Sequence, residues 1–150
     1  MMRRFTVPGP PVGKGRPRFV AGQGLAHGRT YTPEATKRYE ATVAACARQS
    51  LGPPSAFPDG PLTVAIDATA KRPGRLSRRC DPDGRIWRTT KPDPDNVAKI
   101  ILDALSPWFD DARVVDLRVR SLYAGKGREP SVSVSVGWAE ADGPEVRDAT

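Results

Sequence analysis

The alternation of apolar and polar positions begins at once. In "MRRFTV", residues 2–7, Arg3, Phe5 and Val7 alternate with Arg4 and Thr6, the period-two signature of a short strand. The run "PGPPVGKGRPR" that follows has too many prolines and glycines for a helix or a central strand, so it predicts a loop carrying Lys14, Arg16 and Arg18. A short extended piece near residues 28–32 leads into "TPEATKRYEATVAACARQSL". There Tyr39, Val43 and Cys46 recur on one face, Thr32 suits a cap and Pro33 a first turn, which predicts a helix over residues 33–50. In "PLTVAIDATAK" Leu62, Val64, Ile66 and Ala68 alternate with Thr63, Ala65, Asp67 and Thr69, a half-buried strand. Residues 72–90 show neither period and predict a long mobile basic loop.

A turn of about 100° per residue gathers Val97, Ile100, Ile101, Ala104 and Leu105 into one stripe. A second helix is therefore expected over residues 96–105, with Asp95 as its N-cap and Pro107 just past its end. "ARVVDLRVRSLYA" sets Val115, Leu117 and Val119 against Asp116, Arg118 and Arg120. "SVSVSVGW" turns Val132, Val134, Val136 and Trp138 inward, and the intervening "AGKGREP" suggests that the two strands form an antiparallel hairpin. This order predicts an α/β (α+β) fold: a single two-layer domain with a small mixed β-sheet and two helices packed on it, over residues 1–141, followed by a flexible tail at residues 142–150.

Length and composition narrow the chemistry. At 150 residues the chain can bury a real core. No apolar run is long enough to span a bilayer and the N-terminus lacks the apolar block of a signal peptide, so a cytoplasmic protein without membrane partners is expected. Cys46 and Cys80 form no CxxC pair and His27 is the single histidine, which excludes zinc fingers and His-dependent triads and leaves oxygen ligands for any metal. "GPPVGKG" lacks the spacing and the Ser or Thr of a Walker loop, and "DPDG" at residues 81–84 lacks the later ligands of an EF-hand.

The net charge of +7 comes in blocks. Residues 1–30 hold six basic side chains and no acid, and residues 71–91 hold eight against Asp81 and Asp83. Such blocks suit a polyanion whose condensed counterions they release. The acids concentrate elsewhere, at Asp93, Asp95, Asp103, Asp110, Asp111 and Asp116.

In "KPDPDNVAKIILDALSPWFDD", residues 91–111, the bland reading is a capped surface helix with solvated charges, Asp95, Lys99 and Asp103 following one another at spacing four. Against it stand Asp93, which a cap at Asp95 does not need, the flanking Lys91 and Lys99, and the return of two carboxylates in "FDD". A tight turn after a short helix is expected to bring Asp111 back beside the helix N-terminus. Carboxylates so gathered resist ionising together unless a divalent cation joins them, and Mg²⁺ takes few carboxylates plus waters and phosphate oxygens. Asp93, Asp95 and Asp111 with Lys99 thus make chemical sense as a phosphodiester hydrolysis site.

The same residues, with "VPGPPVGKGRPR" and "TPEATKRYE", resemble the RusA-like Holliday junction resolvases over nearly the whole chain. In that family a DxDN precedes a helix bearing a lysine and a DD follows. The resemblance implies a homodimer, dependence on Mg²⁺ (or Mn²⁺), and cleavage of four-way DNA junctions by paired nicks. It also implies metal-binding Asp93, Asp95 and Asp111 with a catalytic Lys99. Asp103 matches a family position too, but helix geometry suits it to orient Lys99, and strand alternation turns Asp110 away from Asp111. DNA phosphates are expected at Lys14, Arg16, Arg18, Arg75, Arg78, Arg79, Lys91, Arg118 and Arg120. Many members carry a lysine where this chain has Ser121, leaving Arg118, Arg120 or Lys126 as substitutes. The alternatives are a non-catalytic junction- or duplex-binding module of the same fold, and a less selective nuclease of branched DNA.

Overall fold

In a computed structural model of the chain, residues 2–15 and 33–144 are described in full, and residues 18–20 and 29–31 in their backbone. Arg16, His27, Thr32, the side chain of Arg18 and residues 145–150 lie outside the described residues. Strands β1 (Met2–Pro8), β4 (Leu62–Ala70), β5 (Ile86–Trp87), β6 (Val114–Tyr123) and β7 (Ser131–Trp138) form one mixed sheet in the order β1-β7-β4-β6-β5. Strands β2 (Arg18–Val20) and β3 (Arg29–Tyr31) pair separately. Helices α1 (Glu34–Leu51) and α2 (Pro94–Ala104) cover one face of the large sheet, α1 packing on β1, α2 on β4 and β6, and the helices on each other. The expected two-layer α+β fold with two helices on a mixed sheet is therefore what the chain adopts.

The core lies between sheet and helices. Phe5 and Val7, Leu62, Val64, Ile66 and Ala68, and Val132, Val134 and Val136 point into it from the strands. All five residues of the predicted stripe on α2 are buried, with Ala98 beside them. On α1 the buried line runs through Thr36, Val43, Ala47 and Leu51, while Tyr39 and Cys46 flank it half-buried. That helix starts one residue later than expected, with Pro33 in the cap position. It ends at Gly52, whose φ of 74° suits glycine and whose carbonyl accepts a hydrogen bond from Trp108 Nε1 at 2.9 Å.

β6 and β7 do not form a hairpin. β4 lies between them, antiparallel to β7 and parallel to β6, with α2 on the connection that a parallel pair requires. Residues 124–130 cross the end of β4, where Ala124 N–H donates to Ala70 C=O at 2.7 Å. Period-two patterning marks each strand and its inner face but carries no information on which strand is its neighbour.

The apolar residues of β6 are also not uniformly inward. A register shift opposite Leu62 and Thr63 leaves Val115 63% exposed, and Leu117, in register with Val64 on the helix side, is 44% exposed. Only Val119 of the three packs against the core.

The basic segment at residues 72–90 is folded rather than free. Arg72 is buried and its guanidinium donates to the carbonyls of Ala124 (3.1 Å), Leu76 (2.9 Å), Pro82 (2.8 Å) and Gly84. Lys126 holds the same loop from the other side through the carbonyls of Arg78 (2.8 Å) and Asp81 (2.6 Å) and the Asp83 carboxylate. The loop then continues into the edge strand β5.

Candidate active site

Arg88 sets the approach to α2. It is buried, its N–H donates to Ser121 C=O at 3.0 Å, and its Nη1 donates to Lys91 C=O at 2.7 Å. Thr90 Oγ1 meets Tyr123 OH at 3.1 Å, so the turn before the helix is anchored to the C-terminal end of β6. The Lys91–Pro92 peptide is cis. Asp93, not Asp95, is the N-cap residue, followed by Pro94 at the first helical position, where no N–H is missed. The helix thus starts two residues earlier than the apolar stripe alone indicates.

The cap works through the backbone: Asp93 C=O accepts from Val97 N–H at 3.1 Å, and the Asp93 side chain makes no capping hydrogen bond. Its carboxylate instead faces Lys91 Nζ at 3.3 Å and keeps 48% of its side-chain surface open. Asp95 lies exposed in the first turn. Both carboxylates sit at the positive end of the helix dipole, which favours their negative charge.

The N-terminal loop packs against this turn. Lys14 N–H donates to Asn96 C=O at 3.0 Å, and a Cβ at Gly13 would stand 2.9 Å from Pro92 Cβ and 3.3 Å from Asn96 Cβ, so only glycine permits the approach. Gly15 N–H donates to Thr36 Oγ1 at 3.2 Å, tying the loop to α1. Lys14 Nζ therefore reaches both Glu40 on α1 and Asp103 Oδ2 on α2, the latter at 2.9 Å, while Asp103 Oδ1 faces Lys99 Nζ at 3.4 Å. Burial opposes the charge on Lys14, but the hydrogen bonds and charges of Glu40 and Asp103 outweigh it and raise its pKa above the usual value. Asp103 thus lies where it can hold Lys99, the job helix geometry suggested for it. Lys14, read as a phosphate contact, is an ion-pair partner in this arrangement.

Asp111 lies elsewhere. It belongs to a single 3₁₀ turn, Asp111–Arg113, tied by Arg113 to the carbonyls of Gly60 (3.0 Å) and Pro58 (2.8 Å) at the start of β4. Between it and Asp95 runs α2, eleven residues and so roughly 16 Å long. The chain does not fold back as expected, because residues 105–109 turn into Trp108 and Phe109, which are buried against the far end of α1 and against Phe57. Among the described residues, no group of three acidic, cysteine or histidine side chains stands close enough to hold a metal ion. Two exposed carboxylates at the first turn of α2 are what one chain offers, a set that suits Mg²⁺ only with waters and phosphate oxygens.

Asp110 does not alternate away from Asp111 along a strand, since neither is in one. Its carboxylate accepts from Ala112 N–H at 2.9 Å, and this bond, then a hydrogen bond with the Asp111 carboxyl, holds its pKa below the usual range.

The cations expected at DNA fall on two sides. Lys91, Lys99 and Lys14 surround the first turn of α2. Arg118 and Arg120 register with Ala65 and Asp67 on the sheet face away from the helices, where Arg4 and Arg85 join them around a cleft of about 420 Å³. Arg120 is committed to Asp67 by bonds of 2.7 and 2.6 Å, which, led by that hydrogen bonding, lower the pKa of Asp67. Ser121 registers with Ala68 on the helix side. Neither arginine shares its face, and Lys126 is engaged by the loop, so none of the three stands in for a lysine there. Arg75, Arg78 and Arg79 are exposed on the loop.

Arg88 and Glu40 are positioning residues that sequence reasoning passed over. An arginine in a basic loop and a glutamate in a polar helix carry no local signal, and only the fold distinguishes them.

The family model described as endodeoxyribonuclease RusA matches residues 8–136. Among curated proteins, the chain is 34% identical over 140 residues to one from Bacillus subtilis (strain 168) described as uncharacterized protein YqaN, covering 89% of this chain and 94% of that relative.

Proposed function

The chain belongs to the RusA endodeoxyribonuclease family, and from that premise we propose that it resolves four-way DNA junctions by paired nicks, as a homodimer dependent on Mg²⁺ or Mn²⁺. The observation that carries the reading is the first turn of α2. Asp93 caps the helix with its backbone alone, which leaves its carboxylate, in contact with Lys91 Nζ, and that of Asp95 open on the same turn, one turn from Lys99. A divalent cation at these carboxylates supplies positive charge for a phosphate oxygen and lowers the pKa of an attacking water.

The side chains do the rest. Lys99, steadied by Asp103, offers its ammonium to the charge that develops on the phosphate, and Lys91 neutralises the approaching backbone. Exposed Arg75, Arg78 and Arg79 suit the junction arms as further phosphate contacts.

Asp111 joins the site from a second copy in this reading. Its separation from Asp95 by the length of α2 supports that arrangement, as does the substrate, because two coordinated nicks on a near two-fold junction need two sites related by a matching axis.

The test is a synthetic four-way junction with Mg²⁺, read on a denaturing gel. Wild type is expected to give symmetric nicks, and Asp93→Asn, Asp95→Asn, Asp111→Asn and Lys99→Ala to lose them. A mixture of Asp95→Asn and Asp111→Asn copies is expected to regain one nick, since a mixed dimer keeps one intact set. Unchanged cleavage in all four variants sinks the site, and salt-sensitive binding without nicking in any divalent ion favours the binding-module alternative. Equal cleavage of linear duplex favours the less selective nuclease.

A further inference from the structure

On the sheet face away from the helices the side chains are sorted by size. The middle strands, β7 and β4, present Ser133 and Ser135 beside Ala65 and Asp67. Longer side chains flank them: Arg4 on β1, in register with Ser135, and Arg118 and Arg120 on β6, in register with Ala65 and Asp67, with Arg85 nearby. The result is a trough of about 420 Å³ with a floor of small residues and walls of arginine.

Four guanidiniums meet one carboxylate there. Asp67 is shared by Arg120, at 2.7 and 2.6 Å, and Arg85, at 3.4 Å, which holds both side chains in place. Arg118 is exposed and pairs with no acid among the described residues, and Arg4 donates from Nε to Ser135 Oγ at 3.0 Å. Guanidiniums set in place with N–H groups to spare match phosphate oxygens. The excess of positive charge is local. Along the strands, Asp116 is the neighbour of Arg118 on the same face at one end, and at the other Asp83 and Glu129 offset Lys126 and Arg128. Across them, β1 to β5 is four strand spacings, or about 19 Å. A basic patch bounded in both directions suits one compact polyanion better than a long backbone.

Toward β5 the trough adjoins a second hollow of about 560 Å³, which shares Arg85 and Arg120 with it and is also lined by Trp87, Leu122 and Pro82. Trp87 registers with Leu122 and is 69% exposed. Both hollows fall in the range of about 300–1,000 Å³ common to small-molecule sites. An exposed indole beside guanidiniums offers a flat surface to an unpaired base, and not to one already stacked inside a duplex.

We propose that this face binds a free nucleoside polyphosphate, its base on Trp87 and its phosphates among Arg120, Arg118 and Arg4. The site lies across the sheet from α2 and uses neither the carboxylates of its first turn nor a metal, so it stands apart from the nuclease reading.

Titration of the full chain with ATP in EDTA, followed by calorimetry and by tryptophan fluorescence, tests it. Trp87 is the reporter, since Trp108 is buried and Trp138 packs on Phe57. Binding in the micromolar range with quenching is expected, and neither heat nor quenching at millimolar ATP overturns the proposal. Trp87→Ala, at an exposed position, is expected to keep the wild-type melting temperature and to weaken ATP about tenfold by calorimetry, with Trp87→Phe within about threefold of wild type. Arg118→Glu is expected to weaken ATP at least tenfold and to flatten the dependence of affinity on salt. Wild-type affinity in both Trp87→Ala and Arg118→Glu overturns the site, and so does loss of the quenching in Lys99→Ala, which would place the ligand at α2. Tripolyphosphate bound as tightly as ATP removes the base from the site and overturns the nucleotide assignment. A short oligothymidylate bound more tightly than ATP, with the same dependence on Trp87, overturns the free nucleotide in favour of a single strand. ATP bound by a protein that does not nick junctions sinks the nuclease reading and leaves this site standing; nicking without ATP binding does the reverse.

Discussion

Replacing Arg72 with methionine isolates what one buried guanidinium does for the basic loop. Four carbonyls from four places in the chain converge on it, and one of them, Ala124, lies at the crossing from β6 to β7. Charge-assisted bonds of this kind are worth about 1.5–3 kcal/mol each, while returning the cation to water recovers several kcal/mol. The methionine chain keeps most of the packing of the arginine stem, so the net loss is about 3–5 kcal/mol, or a fall in Tm on the order of 10 °C for a domain of this size. Arg72→Lys is expected to recover little of it, because a point-like ammonium cannot span four acceptors. Urea unfolding gives the magnitude, and amide hydrogen exchange over residues 74–87 shows whether the loop opens before the core. A methionine variant within about 1 kcal/mol of wild type, with loop amides still protected, would refute the role assigned to Arg72.

Gly13→Ala forces a Cβ to within 2.9 Å of Pro92 and is expected to cost about 1–3 kcal/mol by overpacking, with a loss of junction cleavage larger than the loss of stability if Lys14 is displaced. The folded pKa of Asp67 lies below its unfolded value, so its stabilisation is complete above that value and fades as pH falls through the lower folded one. Asp67→Asn should therefore lower the urea midpoint at neutral pH, and the gap from wild type should close as pH falls below the usual carboxylate range. Asp103→Ala frees Lys99 while Lys14 keeps Glu40, and is expected to lower kcat roughly tenfold with KM little changed in a junction-nicking assay; a rise in KM alone would move Asp103 from the chemistry to binding.

What the sequence made legible follows from what its patterns encode. The wheel through Val97, Ile100, Ile101, Ala104 and Leu105 marks the buried face of α2 because burial at 3.6-residue period is a local property. The place of β4 between β6 and β7 is not local, and no residue of "AGKGREP" reports it. The helix start is hidden for a related reason: Pro94 and Asp95 belong to the first turn but face away from the core, so an apolar stripe begins only at Val97.

The candidate site was legible in its parts and not in its distances. In the sequence Asp93 stands out as an aspartate that a cap at Asp95 does not need, whereas it is itself the cap residue, and its carboxylate reaches Lys91 rather than the helix because its backbone does the capping. Asp111 is one short helix away in sequence, and a short helix is still a rigid rod of roughly 16 Å, with Trp108 and Phe109 buried to keep the chain from turning back at its end. Burying those two aromatics stabilises the fold by several kcal/mol, which outweighs any gain from gathering three carboxylates in one copy. The same packing that separates Asp111 from Asp95 within the chain leaves Asp111 exposed just before the start of β6, so in the homodimer proposed above a second chain, and not a rearranged first one, would complete the set.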